Sequence, residues 1–137
     1  AAFNDAVLTE ALPVATIAGA KGARLPYSRR WSGNLAGDWV FPLAGDLNGS
    51  LGATYSYTGD RLGRFRATGV TRQVFPSYTH LDLRAGVEID SFTLTAYVQN
   101  VANSRGILRG GVDAAFAPTY FTYIQPRTIG LSVAKTF

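Results

Sequence analysis

The last eleven residues of the chain, RTIGLSVAKTF, alternate between two kinds of side chain. One set is small and polar, and the other is apolar except for Lys135; the second set is Ile129, Leu131, Val133, Lys135 and Phe137. Successive residues of a strand point to opposite faces of a sheet, so the pattern predicts a β-strand with one apolar and one polar face. The fold then depends on which of the two faces meets water.

The same alternation recurs along the chain, while helical periodicity is absent. It predicts strands at residues 31–41, 50–58, 79–89, 92–99 and 128–137, and residues 3–10 resemble part of a sixth. The sequence therefore predicts an all-β protein, an antiparallel up-and-down meander of about five or six strands.

The predicted connections alternate between short and long. Residues 42–49 form one turn and residues 90–91 another, whereas residues 11–26, 61–76 and 102–118 form long links. Short turns at one rim and long loops at the other are typical of outer-membrane barrels. Residues 119–137 are expected to form one long last strand, with a bulge near Pro126 because proline cannot donate a ladder hydrogen bond.

Composition excludes several kinds of site. The chain has no Cys, which excludes disulfides and thiolate chemistry, and a single His, which leaves almost no scope for a His-based metal site. Neither a metal nor another cofactor is expected. The net charge of +4 is carried by Arg rather than Lys. Such a balance suits nucleic acid or phosphate-bearing lipid, but nucleic acid is not expected because the strand pattern assigns the aromatic side chains elsewhere.

Two architectures fit the alternation. In a soluble sandwich or small barrel the apolar face packs inside. In an outer-membrane barrel the apolar face meets lipid, aromatic side chains near the strand ends form interfacial girdles, and small polar residues line the lumen. Five or six strands do not close such a barrel, because the smallest use eight.

Four segments carry a family resemblance. "LPYSRRWSGNLAGDWVFPL", "YSYTGDR", "PSYTHLDLRAGVEIDSFTLTAYVQNVANSRG" and "QPRTIGLSVAKTF" resemble, in this order, the last strands of TonB-dependent outer-membrane receptors. The resemblance implies that residues 1–137 are the C-terminal portion of a transmembrane barrel of about 22 strands. The plug domain and the earlier strands of that barrel would be absent from this sequence.

The resemblance also implies a function and a location. Such a receptor lies in the outer membrane of a Gram-negative bacterium and takes up a scarce nutrient, such as an iron–siderophore, cobalamin or an oligosaccharide. It is a transporter rather than an enzyme. Its partners would be outer-membrane lipid and lipopolysaccharide, the remaining barrel and plug, TonB through the absent N-terminal part, and the barrel-assembly machinery. The alternatives are a soluble, self-associating lipocalin-like binding barrel and an outer-membrane barrel built from several copies.

The family's last strand is also its assembly signal, a pattern of a polar residue, glycine, spaced hydrophobic residues and a terminal aromatic. Thr128, Gly130, Val133 and Phe137 match that pattern. Lys135 departs from it, because an aromatic residue is usual at that position.

Arginines concentrate in or beside the three long connections. Because the planar guanidinium binds phosphate through two parallel hydrogen bonds, part of this set is predicted to contact lipopolysaccharide phosphates or an anionic ligand. The alternative is that they are ordinary solvated loop charges. The candidate contact residues are Arg61, Arg64, Arg66, Arg105 and Arg109.

His80, Asp82 and Arg84 share the polar face of one strand and are predicted to face the lumen. Alternate residues of a strand lie about 7 Å apart, so a direct proton relay between them is not expected. They are expected instead to form hydrogen bonds across the lumen wall or to the plug, and no catalytic residue is predicted.

Overall fold

The computed structural model of the protein describes residues 1–14, 17–45, 47–66, 71–111 and 120–137. In chain order its strands are β1 (Ala2–Phe3), β2 (Leu12–Val14), β3 (Ile17–Gly19), β4 (Trp31–Ala44), β5 (Leu47–Thr58), β6 (Arg61–Leu62), β7 (Val74–Phe75), β8 (Tyr78–Ile89), β9 (Phe92–Gln99), β10 (Ile107–Gly111), β11 (Tyr120–Tyr123) and β12 (Thr128–Lys135). Within this described part, no helix has the length and apolar character needed to cross a membrane.

Six of the strands form one sheet in the order β1-β4-β5-β8-β9-β12. The sheet is an antiparallel meander, and the predicted fold class is confirmed. β12 pairs with β9 along its whole length, from Thr128 opposite Gln99 to Lys135 opposite Phe92. Since β1 and β12 are the outer strands of this order, the described sheet is open rather than closed into a barrel.

The first predicted hairpin is tighter than expected. β4 continues to Ala44 and β5 begins at Leu47, so residues 42–44 and 47–49 of the predicted turn at 42–49 belong to strands. Pro42 is part of β4. Proline is tolerated at an edge, and β4 pairs with β1 only as far as Ser32.

The predicted strand at residues 3–10 is wrong beyond Phe3. After β1 the chain runs beside residues 22–30 as an irregular ladder. In it the Asn4 amide donates to the Arg30 carbonyl at 2.9 Å and the Leu25 amide donates to the Ala6 carbonyl at 3.0 Å. The Asn4-Asp5 pair has low β-propensity, which explains why the regular strand stops there.

The predicted long last strand is two strands. β11 pairs with β10, whereas β12 pairs with β9. The interruption spans residues 124–127 and contains Pro126, where the sequence predicts only a bulge. Thr119, the predicted first residue, lies outside the described residues.

The long connections contain short hairpins of their own. β2 pairs with β3, β6 with β7, and β10 with β11. The sequence predicts β2, β3, β6, β7 and β10 only as loops, because strands of two to five residues are too short for a clear periodic signal, whereas β11 falls within the predicted last strand. Residues 15–16, 67–70 and 112–118 of these connections lie outside the described residues.

The chain divides into two compact units. The strand unit comprises Asn34–Ser56, Thr79–Arg105 and Gln125–Phe137. The loop unit comprises Ala1–Gly33, Tyr57–Tyr78 and Gly106–Ile124. The loop unit holds nine Lys and Arg against four Asp and Glu, and the strand unit holds four against five, so the positive charge belongs to the loop unit.

The residues whose side chains the structure describes, which exclude residues 13–14 and 17–18, do not contain a conventional hydrophobic core. Every described residue classed as buried is a glycine except Arg61, Phe75 and Asn100. In the strand unit the large apolar side chains are the exposed ones: Leu131 is 73% exposed and Leu83 is 42% exposed. The apolar face of these strands therefore points outward, and the small polar face is the covered one.

Candidate functional site

The polar face of the strand unit carries an ion pair that spans three strands. The Arg84 guanidinium on β8 donates a hydrogen bond to the Asp38 carboxylate on β4. β5 lies between these strands, and Gly52 of β5 lies beneath the pair. A Cβ at position 52 would overlap both Asp38 Oδ1 and Arg84 Nε, so the pair in this arrangement fits over a glycine.

Two other glycines of this face lie beneath neighbouring side chains. A Cβ built on Gly86 would lie 2.7 Å from Ser50 Oγ and 3.3 Å from Thr95 Oγ1. A Cβ on Gly130 would overlap the ring of Tyr97, its register partner on β9. An aromatic ring that covers a cross-strand glycine shields the backbone and fixes register. The polar face is therefore closely covered by side chains that lie along the sheet.

His80 and Asp82 are closer than strand spacing predicts. His80 Nε2 lies 3.0 Å from Asp82 Oδ1, although the two Cα atoms are about 7 Å apart by strand geometry. Strand spacing alone therefore underestimates how closely the two side chains approach, and the expectation that they form no direct proton relay stays a prediction. The angles are not those of a hydrogen bond, and Nε2 is buried without a hydrogen-bond partner among the described residues. The contact is a close polar approach, and Asp82 Oδ1 also accepts a hydrogen bond from the Asn100 amide at 2.8 Å.

Asn100 is fully buried and holds the start of the third long connection. Its Nδ2 donates to the carbonyls of Ser104 at 2.9 Å and Gln125 at 2.8 Å, and its Oδ1 accepts from the Ser104 amide at 2.8 Å. The backbone has φ of 50°, a left-handed conformation in which Asn is favoured. One side chain thus joins the end of β9, the following turn and the segment that leads into β12.

In the loop unit, Arg24 and Arg72 join separate connections. Arg24 donates to the Asp60 carboxylate at 2.7 Å and to the Ser28 carbonyl at 2.6 Å. Arg72 donates to the carbonyls of Arg24 at 2.7 Å and Gly63 at 2.6 Å. Burial, and then the neighbouring Arg24 guanidinium, lower the pKa of Arg72. The first two long connections are thus fastened to each other by guanidinium groups.

Arg61 fastens the second connection to the third. It is only 9% exposed, and its guanidinium donates to the Leu108 carbonyl at 3.2 Å and to the Ile107 carbonyl. The same group lies 5.7 Å from the ring centroid of the buried Phe75. Arg61, predicted to contact an anion, is therefore engaged by carbonyl groups of the chain itself.

The other predicted arginines lie in different surroundings. Arg105 and Arg109 are exposed and have neither a hydrogen-bond nor an ion-pair partner within the described part of the chain. Arg64 is exposed but makes an interaction, and Arg66 is half-buried. Arg105 belongs to the strand unit and the others to the loop unit. Contact of these four residues with an anion stays a prediction.

Three residues of the predicted assembly signal lie in the outer strand β12, and the fourth, Phe137, lies two residues beyond its end. Thr128 accepts a hydrogen bond from Gln125 Nε2 at 3.0 Å, and Gly130 lies beneath Tyr97. Val133 and Phe137 are exposed, by 69% and 105%. Two of the four positions thus serve the local packing of the strand, and the other two belong to its apolar face.

No cluster of three or more metal-ligating side chains occurs among the described residues. The chemistry that the polar groups support is hydrogen bonding and ion pairing.

The sequence of the chain matches a known protein family. A family model described as "TonB dependent receptor-like, beta-barrel" matches residues 2–101. The chain belongs to the TonB-dependent receptor β-barrel family. No curated protein and no solved structure matches the chain.

Members of the TonB-dependent receptor family are outer-membrane receptors, and they are transporters rather than enzymes. The family match covers β1 to β9 and ends just after Asn100. The polar face with Arg84 and Asp38 and the Asn100 site thus both fall within the matched barrel residues.

Several of these residues do not stand out in the sequence as site residues. Gly52 and Tyr97 act through partners on neighbouring strands, and only register reveals those partners. Arg24 and Arg72 resemble ordinary loop arginines until the backbone carbonyls around them are known. Asn100 alone carries a local signal, since Asn at a strand end followed by a turn suits a left-handed backbone.

Proposed function

We propose that the chain is the C-terminal part of an outer-membrane receptor barrel that takes up a scarce nutrient with energy passed on by TonB. The observation that carries this proposal is the outward orientation of the apolar face, because every described buried residue is Gly, Arg61, Phe75 or Asn100. An exposed apolar sheet face is unstable in water but suits hydrocarbon. The paired backbone of a barrel wall then leaves no polar group facing lipid.

Strand length supports a membrane-spanning position. A transmembrane strand needs about 9–11 residues when it is tilted. β4 has 14 residues, and β5 and β8 have 12 each, which is sufficient. β9 and β12 have eight each, about one residue below that range.

The open sheet supports a larger assembly. A sheet in lipid must close into a barrel, because an open edge would leave backbone groups unpaired. The smallest outer-membrane barrels have about eight strands, more than the six of this sheet. We therefore propose that β1 and β12 pair with other strands of the same receptor. Additional copies of the chain are the alternative source of strands. The soluble lipocalin-like alternative is disfavoured, because such a barrel buries the apolar side chains that are exposed here.

The polar face would line the lumen. His80, Asp82 and Arg84 would then lie on the inner wall, where the plug of such a receptor is held. The Arg84–Asp38 pair is half-exposed, with side-chain exposures of 49% and 55%, so it has hydrogen-bonding capacity left for a plug residue or water. In this proposal the wall supplies hydrogen bonds rather than covalent chemistry.

The loop unit would gather the ligand at the extracellular mouth. Its excess of basic residues favours phosphate-bearing or other anionic groups, either on lipopolysaccharide or on the nutrient. We propose Arg64, Arg66, Arg105 and Arg109 as contact residues and assign Arg61 an internal role. Ligand binding there would be followed by rearrangement of the plug, driven through TonB from the inner membrane.

The outer strand β12 would carry the signal read by the barrel-assembly machinery. Thr128, Gly130, Val133 and Phe137 are the proposed signal residues. Because β12 has an open edge, its backbone groups are available to pair with another strand during assembly.

Cysteine labelling in whole cells tests the membrane placement. The chain has no native Cys, so single replacements report one position each. Arg109→Cys in a long connection is expected to react with a membrane-impermeant maleimide. Ser91→Cys in a short turn is expected to react only after the outer membrane is opened, and Leu131→Cys only with a lipid-soluble maleimide. Reaction of all three with the impermeant reagent in intact cells would exclude this placement.

A further inference from the structure

Lys135 lies between two aromatic rings at the end of the last strand. Its ammonium nitrogen is 5.2 Å from the ring centroid of Phe92 and 5.0 Å from that of Phe137. Phe92 is the register partner of Lys135 on β9, and Phe137 is two residues further along the chain. The three side chains are called the Lys135 cluster below; the pairing of β9 with β12 holds Phe92 beside Lys135, and Phe137 follows directly after that pairing.

The Lys135 cluster belongs to the apolar face. Side chains alternate along a strand, so Lys135 shares its face with Leu131 and Val133, which are 73% and 69% exposed. No acidic side chain of the described residues forms an ion pair with Lys135. A positive charge is thus presented, without an ion pair to any described acidic side chain, on a surface that is otherwise apolar.

The position along the strand determines what this charge meets. β12 ends at Lys135, and the Thr136 amide donates to the carbonyl of Ser91 in the turn between β8 and β9 at 2.8 Å. The cluster therefore lies at the turn end of the sheet and not midway along it. Aromatic rings and long cationic side chains both favour the boundary between hydrocarbon and headgroups.

We propose that the Lys135 cluster binds the phosphate of an anionic phospholipid headgroup at this boundary. The inference rests on the membrane placement of the proposed function. The rings of Phe92 and Phe137 contact the lipid chains below the headgroup and hold the ammonium above them. The two rings occupy part of the ammonium surface, and the N–H donors that point away from the rings are available to phosphate oxygens.

The charge of the headgroup matters because the cluster carries a positive charge that is not ion-paired to a described acidic side chain. A zwitterionic lipid presents a choline or amine close to its phosphate, which opposes the ammonium. An anionic lipid such as phosphatidylglycerol lacks that group. The site is therefore expected to retain about five times more anionic than zwitterionic lipid. This factor corresponds to about 1 kcal/mol, the typical contribution of one basic residue at an anionic membrane surface.

The test measures lipid retained by the whole chain. The protein is reconstituted into phosphatidylcholine vesicles that contain phosphatidylglycerol, extracted gently, and analysed for phosphatidylglycerol per chain. The wild type and Lys135→Arg, which keeps the charge, are expected to retain about five times more than Lys135→Met. Lys21→Met, which removes the chain's other lysine from an exposed loop position, is the matched control and is expected to retain the wild-type amount.

Three outcomes overturn the proposal. Equal retention by Lys135→Met and the wild type shows that the cluster does not select the lipid. Displacement of phosphatidylglycerol by inorganic phosphate shows a simple anion site instead of a lipid site. Quenching of the fluorescence of Trp31 and Trp39 by brominated phosphatidylcholine reports insertion in the same samples. Absence of quenching in the wild type removes the membrane placement and this inference together, whereas quenching with equal retention removes this inference alone.

Discussion

Asp38 and Arg84 form an ion pair although the strands that carry them are not neighbours, and Gly52 of the intervening strand is what allows it. A half-exposed pair of this kind contributes little energy by itself. Its consequence is geometric, because it fixes side chains from β4 and β8 across the face of β5. The pair therefore holds two otherwise flexible side chains in one arrangement on the polar face.

Replacing Gly52 by Val is expected to separate this pair. The added side chain occupies the space of Asp38 Oδ1 and Arg84 Nε, which belong to flexible, half-exposed side chains, so the free energy of unfolding should fall by about 1 kcal/mol. Urea unfolding in detergent, followed by tryptophan fluorescence, measures the change. Gly37→Val is the matched control, since a Cβ at Gly37 meets open space and should cost far less. Equal losses for the two variants would contradict the role of Gly52.

The Tyr97 ring over Gly130 leads to a second prediction. Gly130→Val displaces the ring and should lower the free energy of unfolding by about 1–3 kcal/mol, whereas Tyr97→Ala, which only uncovers the glycine, should cost about 1 kcal/mol. In the Tyr97→Ala background the added Val should cost less, because no ring is left to displace. The same urea unfolding assay gives all four values of this double-mutant cycle.

Ser132→Val is the control for that cycle, because Ser132 is exposed and lies two residues further along the same face of β12. It should leave the free energy of unfolding nearly unchanged. Strict additivity of Gly130→Val and Tyr97→Ala would show that the ring and the glycine act independently, contrary to the proposed contact.

The strands of the sheet were largely predictable because their signal is local. β9 has the predicted bounds, Phe92–Gln99, since alternation and the flanking turn both mark its ends. The strand prediction fails where side chains still alternate but the backbone does not pair regularly with a neighbouring strand. Residues 3–10 alternate weakly, yet the ladder partner of Asn4 is Arg30 in an irregular segment.

The candidate site was less predictable than the fold. Arg61 has the residue type and the loop position of an anion contact, and only the carbonyl groups of Ile107 and Leu108 show that its guanidinium is engaged within the chain. For His80 and Asp82, strand spacing predicts the distance between the two backbone positions but not the direction in which the side chains lean. Such features depend on contacts distant in sequence, and a single sequence does not report them.

Asn100 permits a prediction that separates side-chain hydrogen bonds from backbone conformation. Both Asn100 and Asn103 have left-handed φ values, of 50° and 51°, so replacement of either by Gly relieves rather than adds backbone strain. Asn100→Gly leaves the carbonyls of Ser104 and Gln125 without their donor and should cost about 2–4 kcal/mol. Chemical unfolding of the two variants gives the comparison.

Asn103→Gly is the matched control for Asn100→Gly. Its exposed side chain accepts one hydrogen bond, from the Arg127 amide at 3.1 Å, so the expected cost is about 1 kcal/mol or less. If Asn103→Gly proved as destabilising as Asn100→Gly, the buried side chain would not be the main determinant of stability at this strand end.

Arg61 allows a local test of the loop unit. In Arg61→Met a flexible apolar side chain keeps much of the packing against Phe75 but loses the bonds to the carbonyls of Ile107 and Leu108. Hydrogen bonds from a charged donor are worth about 1.5–3 kcal/mol, so amide exchange in β10 should accelerate by about 10- to 100-fold. Hydrogen–deuterium exchange read by mass spectrometry measures this, with β12 amides as the unchanged reference.

Two further variants show whether the acceleration comes from the guanidinium fork. Arg61→Lys keeps the charge but lacks the planar arrangement that reaches two adjacent carbonyls, so β10 should still exchange faster than in the wild type. Arg109→Met removes an exposed guanidinium from β10 itself and should leave exchange unchanged, because no described residue bonds to that side chain. Wild-type exchange in Arg61→Met, or equal acceleration in Arg109→Met, would show that the hairpin of β10 and β11 is held by its own pairing and not by Arg61.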